Sequence, residues 1–307
     1  MEERTPETGP APGKTKKKSS RTTVLLVLVL LLGVGIMAYP TVSDWWNSMH
    51  ATQAIAAYSQ VVEHTDEGKL SELLEAARAY NDRLSRKEIP YEMSDEELAE
   101  YKSLLDVSGD GIMGYVQVPS LRVNIPIYHT TDETVLQIAV GHLEWTSLPI
   151  GGESTHAVLS GHRGLPSAKL FTDLDKMREG DLFTITVLNQ TITYQVDQIR
   201  IVEPGDVSEL SIVPGEDYCT LVTCTPYGIN THRLLVRGHR TANEQGALVV
   251  APEAVRIPNY ITIPAVGIPL MFLLLLGMLV YYRVHRRKPV QQVLQELNRG
   301  RIEPKDK

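Results

Sequence analysis

Two apolar runs near the ends of this 307-residue chain constrain its architecture more than any other feature. The first, about Thr22 to Tyr39, contains VLLVLVLLLGVGIMAY; the second, about Ile261 to Tyr282, contains VGIPLMFLLLLGMLVYY. Each approaches the ~20 residues that a helix needs to cross a bilayer. Lys14, Lys16, Lys17, Lys18 and Arg21 precede the first, and Arg283, Arg286, Arg287 and Lys288 follow the second. Basic flanks stay on the cytoplasmic side, so both termini are expected inside and residues 40–260 outside. Tyr39, Trp45, Trp46, Tyr281 and Tyr282 stand where interfacial aromatic rings belong. A cleaved signal peptide is the alternative for the first run, but it has no clear A-x-A site and its apolar core is longer than usual. The net charge of -7 conceals basic tails around an acidic body. That asymmetry suits a membrane protein and argues against nucleic-acid binding, which needs a basic folded surface.

The remaining chain divides by pattern. Residues 1–21 form a polar basic tail and 22–39 the first span; 40–110 read as a helical region, 111–240 as a β-rich domain, and 241–260 as a linker. Residues 261–282 form the second span and 283–307 a basic cytoplasmic tail. In the helical region, Leu70, Leu73, Leu74, Ala77, Tyr80 and Leu84 recur at helical spacing over Lys69 to Leu84. An earlier helix is expected over about Ser43 to His64, and a short one over Asp95 to Leu105. From Gly111 the pattern becomes short runs rich in Val, Ile, Thr and Tyr, such as MGYVQVP, LFTITVL, YCTLVTC and HRLLVRGHR. Asn189-Gln190 between two runs predicts a hairpin. Only Ser167 to Gly180 offers room for a helix among them. The predicted fold is therefore mainly β, a closed barrel or sandwich preceded by two helices, with a transmembrane helix at each end.

Cys219 and Cys224 are the two cysteines, both within DYCTLVTCTPY. On one extended strand their odd spacing puts them on opposite faces, and a rise of about 3.3 Å per residue holds them beyond disulfide range. Cys219 fits a buried structural cysteine. Cys224 ends the strand just before Pro226 and Gly228, where a thiol is reachable. Arg233 follows on the next run, and a hairpin would bring its guanidinium near the sulfur, favouring the thiolate. A cysteine nucleophile also needs an acid/base partner, most often histidine. His129, His142, His156, His232 and His239 are all possible; His162 stands out between Gly161 and Gly164, at the end of the run AVLS. Spacing alone does not choose among them.

The segment TLVTCTPYGINTHRLLVRGHR, Thr220 to Arg240, resembles the active-site signature of class C sortases of Gram-positive bacteria. HAVLSGHRGLP, His156 to Pro166, resembles the stretch that carries that family's catalytic histidine. GIMGYVQVPSLRVNIPIYH, GHLEWTSLPIGG, YPTVSDWWN and AYNDRL are also similar, so the likeness covers nearly the whole chain between the apolar runs. It implies a sortase-type β-barrel and a cysteine transpeptidase. Cys224 would attack the carbonyl after Thr in an LPXTG-like motif of a pilin subunit, His162 would move protons, and Arg233 would stabilise the oxyanion or orient the substrate. A lysine of another pilin would resolve the thioester, building a covalent pilus. No metal and no organic cofactor is implied. His162 precedes Cys224, the reverse of papain-like enzymes, and the caspase signature Q-A-C-x-G is absent.

One departure stands out. Class C sortases commonly carry an Asp-Pro-aromatic lid whose Asp meets the catalytic Arg. Here the matching residues read Ile89-Pro90-Tyr91, so Pro90 and Tyr91 are the expected lid residues and Ile89 replaces the acid. Two other readings compete with the pilin-polymerising one: a sortase that anchors surface proteins to peptidoglycan, and a non-catalytic membrane scaffold for pilus assembly.

Overall fold

The computed structural model describes residues 20–87 and 91–243, together with a few helical positions between 270 and 281. Most of the expected second span and of the basic tails, and the Ile89-Pro90 pair, lie outside the described residues. Helix α1, Ser20–His64, runs without a break from the first apolar run, through Pro40, into the polar stretch beyond. The sequence pattern predicts a boundary near residue 40. A proline deprives a helix of one backbone hydrogen bond, yet α1 continues on both sides of Pro40. This helix is long and apolar enough to cross a membrane. Helices α2, Glu67–Leu84, and α3, Asp95–Ser103, follow. The α2 stripe Leu70, Leu74, Ala77, Tyr80 and Leu84 is buried, as its spacing predicts. Ser94 and Glu97 cap α3 reciprocally, each side chain accepting the other's backbone N–H.

Eight strands form a closed barrel in the order β1-β2-β3-β4-β7-β8-β6-β5. They are β1 (Ile112–Val118), β2 (Val123–His129), β3 (Val140–His142), β4 (Thr155–Ser160), β5 (Leu182–Val187), β6 (Gln190–Val202), β7 (Asp217–Thr225) and β8 (His232–Thr241). A four-residue helix, α4 (Glu133–Leu136), links β2 to β3. The β2–β3 and β4–β7 pairs are parallel; the other neighbours are antiparallel. Closure gives every strand a neighbour on each side, although the short β3 reaches only the ends of β2 and β4. Ile127, Leu159, Phe183, Tyr194, Cys219 and Val236 are among the residues filling the main core. A separate apolar cluster, Val158, Val222, Leu235 and Leu210, lies on the other face of the same strands, under the β6–β7 connection.

The β5–β6 hairpin turns at Leu188 and Asn189, one residue before the expected position. Leu188 is buried at a positive φ of 51°, and its N–H is bound by the Tyr58 hydroxyl of α1 at 2.7 Å. The same hydroxyl donates to the Met113 carbonyl at 2.9 Å, so one side chain ties α1 to β1 and to the hairpin. No helix forms over Ser167 to Gly180, which holds one 3-10 turn at Leu174–Lys176. Its first half is claimed by α1 instead: Asn47 donates to the Ser167 carbonyl at 2.7 Å, and Asp44 accepts the Lys169 N–H at 2.6 Å.

Candidate active site

Strand β7 organises the site. Its antiparallel pairing with β8 puts the Cα of Cys224 opposite that of Arg233, and that of Cys219 opposite Gly238. Directly paired residues share a face, so the Cys224 sulfur and the Arg233 guanidinium leave the sheet on the same side. On its other flank β7 runs parallel to β4, with Ser160 opposite Val222. One further hydrogen bond, Gly161 N–H to the Val222 carbonyl at 3.0 Å, extends this pairing beyond the strand. The Thr223 hydroxyl donates to the Gly161 carbonyl at 2.7 Å. His162 follows Ser160 by two residues, as Cys224 follows Val222 by two, so the register delivers His162 to the end of β7 where Cys224 stands.

The glycines around His162 have distinct jobs. A Cβ on Gly161 would sit 2.7 Å from the Phe171 ring, so only glycine lets that ring pack against the backbone beside the histidine. Gly164 has φ +78° and faces the Tyr227 ring, a conformation that other residues seldom adopt.

Both cysteines are free thiols, on opposite faces as their parity requires. Cys219 is fully buried, and burial raises its pKa well above the usual thiol range. It is a core residue. Cys224 is half-buried, on the face that carries Val222 and Leu235. Burial also decides among the histidines. His142 and His156 are enclosed, which lowers both pKa values to about 4, and each ring is hydrogen-bonded within the fold. His129 is buried between the Gly111 and Leu104 carbonyls. His239 pairs with Tyr218, at the far end of β7 from Cys224. His232 sits opposite Thr225 but points to solvent, against Thr231. His162 remains, with its side chain about a quarter exposed (27 %) at the end of β4.

Arg233 rests one terminal nitrogen on the carbonyls of His232 and Asn230, at 3.2 and 3.4 Å. Tyr91 lies elsewhere. Its ring sits 4.1 Å from the Lys87 ammonium and lines a cleft with Tyr80, Leu84, Glu97 and Glu100; its described contacts are with α2 and α3, and none is with Cys224.

Two residues at the site were not singled out from the sequence. Arg163, with a side chain only 7 % exposed, donates to Asp175 at 2.6 Å and to the Thr225 hydroxyl at 3.2 Å, and lies over the Tyr227 ring. It clasps the neighbour of His162 to the neighbour of Cys224. Its place in His-Arg-Gly was the available signal. Glu133, on α4, stands 3.6 Å from the His162 ring, and nothing in its sequence context marks it. Among the described residues, no group of three His, Cys, Asp or Glu side chains is placed to hold a metal.

Comparison with known proteins bears on this arrangement. The sortase domain family matches residues 116–241. The crystal structure of sortase C1 from Streptococcus agalactiae is 52 % identical, with a TM-score of 0.62, over 62 % of this chain and 100 % of that one. Sortase C of Streptococcus pneumoniae, whose structure is described in terms of catalysis and pilin substrate specificity, is 46 % identical with a TM-score of 0.57, over 62 % of this chain and 97 % of that one. Sortase A of Streptococcus agalactiae serotype III is more distant, 26 % identical over 188 residues, which are 56 % of this chain and 74 % of that protein.

Proposed function

This chain belongs to the sortase family of cysteine transpeptidases, and we propose that it polymerises pilins, with Cys224 as nucleophile, His162 as acid and base, and Arg233 as oxyanion donor. The observation that carries the reading is the register of β7, which sets Arg233 against Cys224 on one side and leads β4 to His162 on the other.

The Cys224 thiolate attacks the carbonyl carbon after Thr in an LPXTG-like sorting motif. The carbonyl oxygen gains negative charge, and the Arg233 guanidinium, on the same face as the sulfur, donates hydrogen bonds to it. The C–N bond breaks as the His162 imidazolium protonates the leaving amine, and a thioester remains on Cys224. A lysine ε-amine of a second pilin then attacks the thioester. Neutral His162 takes its proton, the C–S bond breaks, and an isopeptide bond joins the two subunits while the thiolate returns. The apolar α1 and its basic flank support a membrane anchor with the barrel outside the cell.

The test is co-expression with a candidate pilin, looking for a ladder of covalent polymers. Cys224→Ala and His162→Ala should each abolish the ladder while the protein accumulates normally. A full ladder with Cys224→Ala would sink the assignment. Attachment of single subunits to peptidoglycan, with no ladder, would favour the wall-anchoring alternative.

A further inference from the structure

We propose that Glu133 is a positioning residue for His162: its carboxylate receives Nε2–H of the imidazolium and so favours the enzyme form in which Cys224 is a thiolate and His162 is charged. This inference rests on the roles given above to His162 and Cys224.

Four observations converge on it. His162 Nε2 is shielded from solvent and has no hydrogen-bond partner in the resting arrangement. A buried donor left unsatisfied is costly, and more so when it is charged. Glu133 Oε2 is the carboxylate oxygen facing that nitrogen, at 3.6 Å, just beyond hydrogen-bond range. The other oxygen, Oε1, is held by the side-chain amide of Gln137, one helical turn on, which aims the carboxylate. The backbone beneath it is also fixed. The Val135 and Leu136 N–H groups bind the Asp132 carbonyl, the Thr130 hydroxyl donates to Asp132 at 2.7 Å, and the Thr130 N–H is held by the buried Tyr101 hydroxyl at 3.2 Å. A small rotation of the exposed Glu133 side chain closes the gap when the ring becomes charged.

The electrostatics follow from placement. The charged groups around the ring are Glu133 from α4, Cys224 from β7 and Arg233 from β8, with Arg163 next in the chain already committed to Asp175. Glu133 is the anion that faces the shielded ring nitrogen, Nε2. Its contact is with the imidazole, so the imidazolium is the charge it stabilises, and the other ring nitrogen, Nδ1, is left free of it. Arg233 then acts on the sulfur, and Glu133 on the imidazole.

The experiment uses the full-length protein in detergent and three measurements. The first is the rate of Cys224 alkylation by iodoacetamide, which needs no substrate. Glu133→Gln should lower it by about two- to fivefold at neutral pH, the order expected when a solvent-exposed ion pair is removed. Glu133→Asp should recover part of the loss. The second is single-turnover thioester formation with a sorting-motif peptide, which should slow by a similar factor with no change in peptide KM. The third is the pH profile of acylation, whose alkaline limb should move to lower pH in Glu133→Gln. Wild-type alkylation and acylation rates in Glu133→Gln overturn the proposal. So does a variant that acylates normally and shows only a raised KM for the acceptor amine, because Glu133 would then receive the incoming lysine. Neither result touches the reading of His162 and Cys224, which is judged by the loss of the ladder in their own alanine variants.

Discussion

Replacing Tyr58 by Phe tests whether one hydroxyl holds α1 on the barrel. Tyr58 is 1 % exposed, and burial raises its phenol pKa, so it stays a neutral donor. Its oxygen accepts the Leu188 N–H at 2.7 Å, and its proton goes to the Met113 carbonyl at 2.9 Å. Phenylalanine keeps the ring in the core and removes both bonds. The Leu188 N–H is then orphaned inside the turn and the Met113 carbonyl loses a donor. Each unsatisfied buried group costs about 1–3 kcal/mol, and a carbonyl with a second lone pair sits at the low end, so roughly 2–4 kcal/mol is expected in total. For a unit of about 200 residues, 1 kcal/mol moves Tm by roughly 2–4 °C, giving a fall of about 5–12 °C. Thermal unfolding of the purified protein, followed by near-ultraviolet circular dichroism, measures it. Specific activity per folded molecule should not change, because the hydroxyl lies far from β7's end in the fold. A fall below ~2 °C would refute the reasoning, since water or a relaxed turn would then be satisfying the orphaned groups.

Four further outcomes are expected. Burial holds His142 and His156 at about 4, against about 6.5 in the unfolded chain, so below pH 6.5 the unfolded state takes up protons that the folded state refuses. Stability should therefore fall as pH drops from about 6.5 to about 4, by roughly 2 kcal/mol per histidine at pH 5; equal urea midpoints at pH 7.5 and pH 5 would contradict this. Cys219→Ala should leave a small core cavity, cost about 1 kcal/mol in urea unfolding and keep transpeptidase activity; inactivation of a stably folded variant would mean that the wrong thiol is assigned. Arg233→Lys should lower kcat about 10²-fold with a smaller effect on KM, because one ammonium does not reproduce the planar fork of donors; a normal kcat in steady-state transpeptidation would remove Arg233 from the oxyanion role. Tyr91→Ala should leave the iodoacetamide rate of Cys224 unchanged, since its ring sits against Lys87; a faster rate would mean that the 89–91 segment covers the thiol in solution.

Sequence reasoning succeeded where the signal is local. The runs rich in Val, Ile, Thr and Tyr became strands and the α2 stripe became a buried face, because composition and helical spacing are read within a few residues. The parity of Cys219 and Cys224 predicted one core thiol and one half-exposed thiol for the same reason. The misses are non-local. Nothing near Leu188 signals that Tyr58, 130 residues earlier, will fix the hairpin turn. Nothing near Ser167 signals that Asp44 and Asn47 will compete for that loop's backbone groups. Glu133 meets His162 only because the β2–β3 crossover places α4 beside the end of β4.

Register along β7 explains why the two thiols keep separate roles. A slip of one residue would turn every β7 side chain to the other face, carrying Cys224 inward and a core residue outward. The strand is locked against this from both flanks. On the β8 side, Cys219 pairs with Gly238, where a Cβ would stand 2.7 Å from the Phe183 ring and 2.9 Å from the Tyr194 side chain. That glycine fixes β8 against the stacked rings of Phe183 and Tyr194, and eight consecutive Cα pairs, Tyr218–His239 through Thr225–His232, fix β7 on β8. On the β4 side, six consecutive Cα pairs, Thr155–Asp217 through Ser160–Val222, fix the parallel register. The interior packing around Cys219 thus determines, five residues on, that the Cys224 sulfur emerges beside Arg233 and at the end of the strand that delivers His162. Core and site are two faces of one alignment, and a change in the core that loosens Gly238 against Phe183 acts on the chemistry without touching a reacting atom.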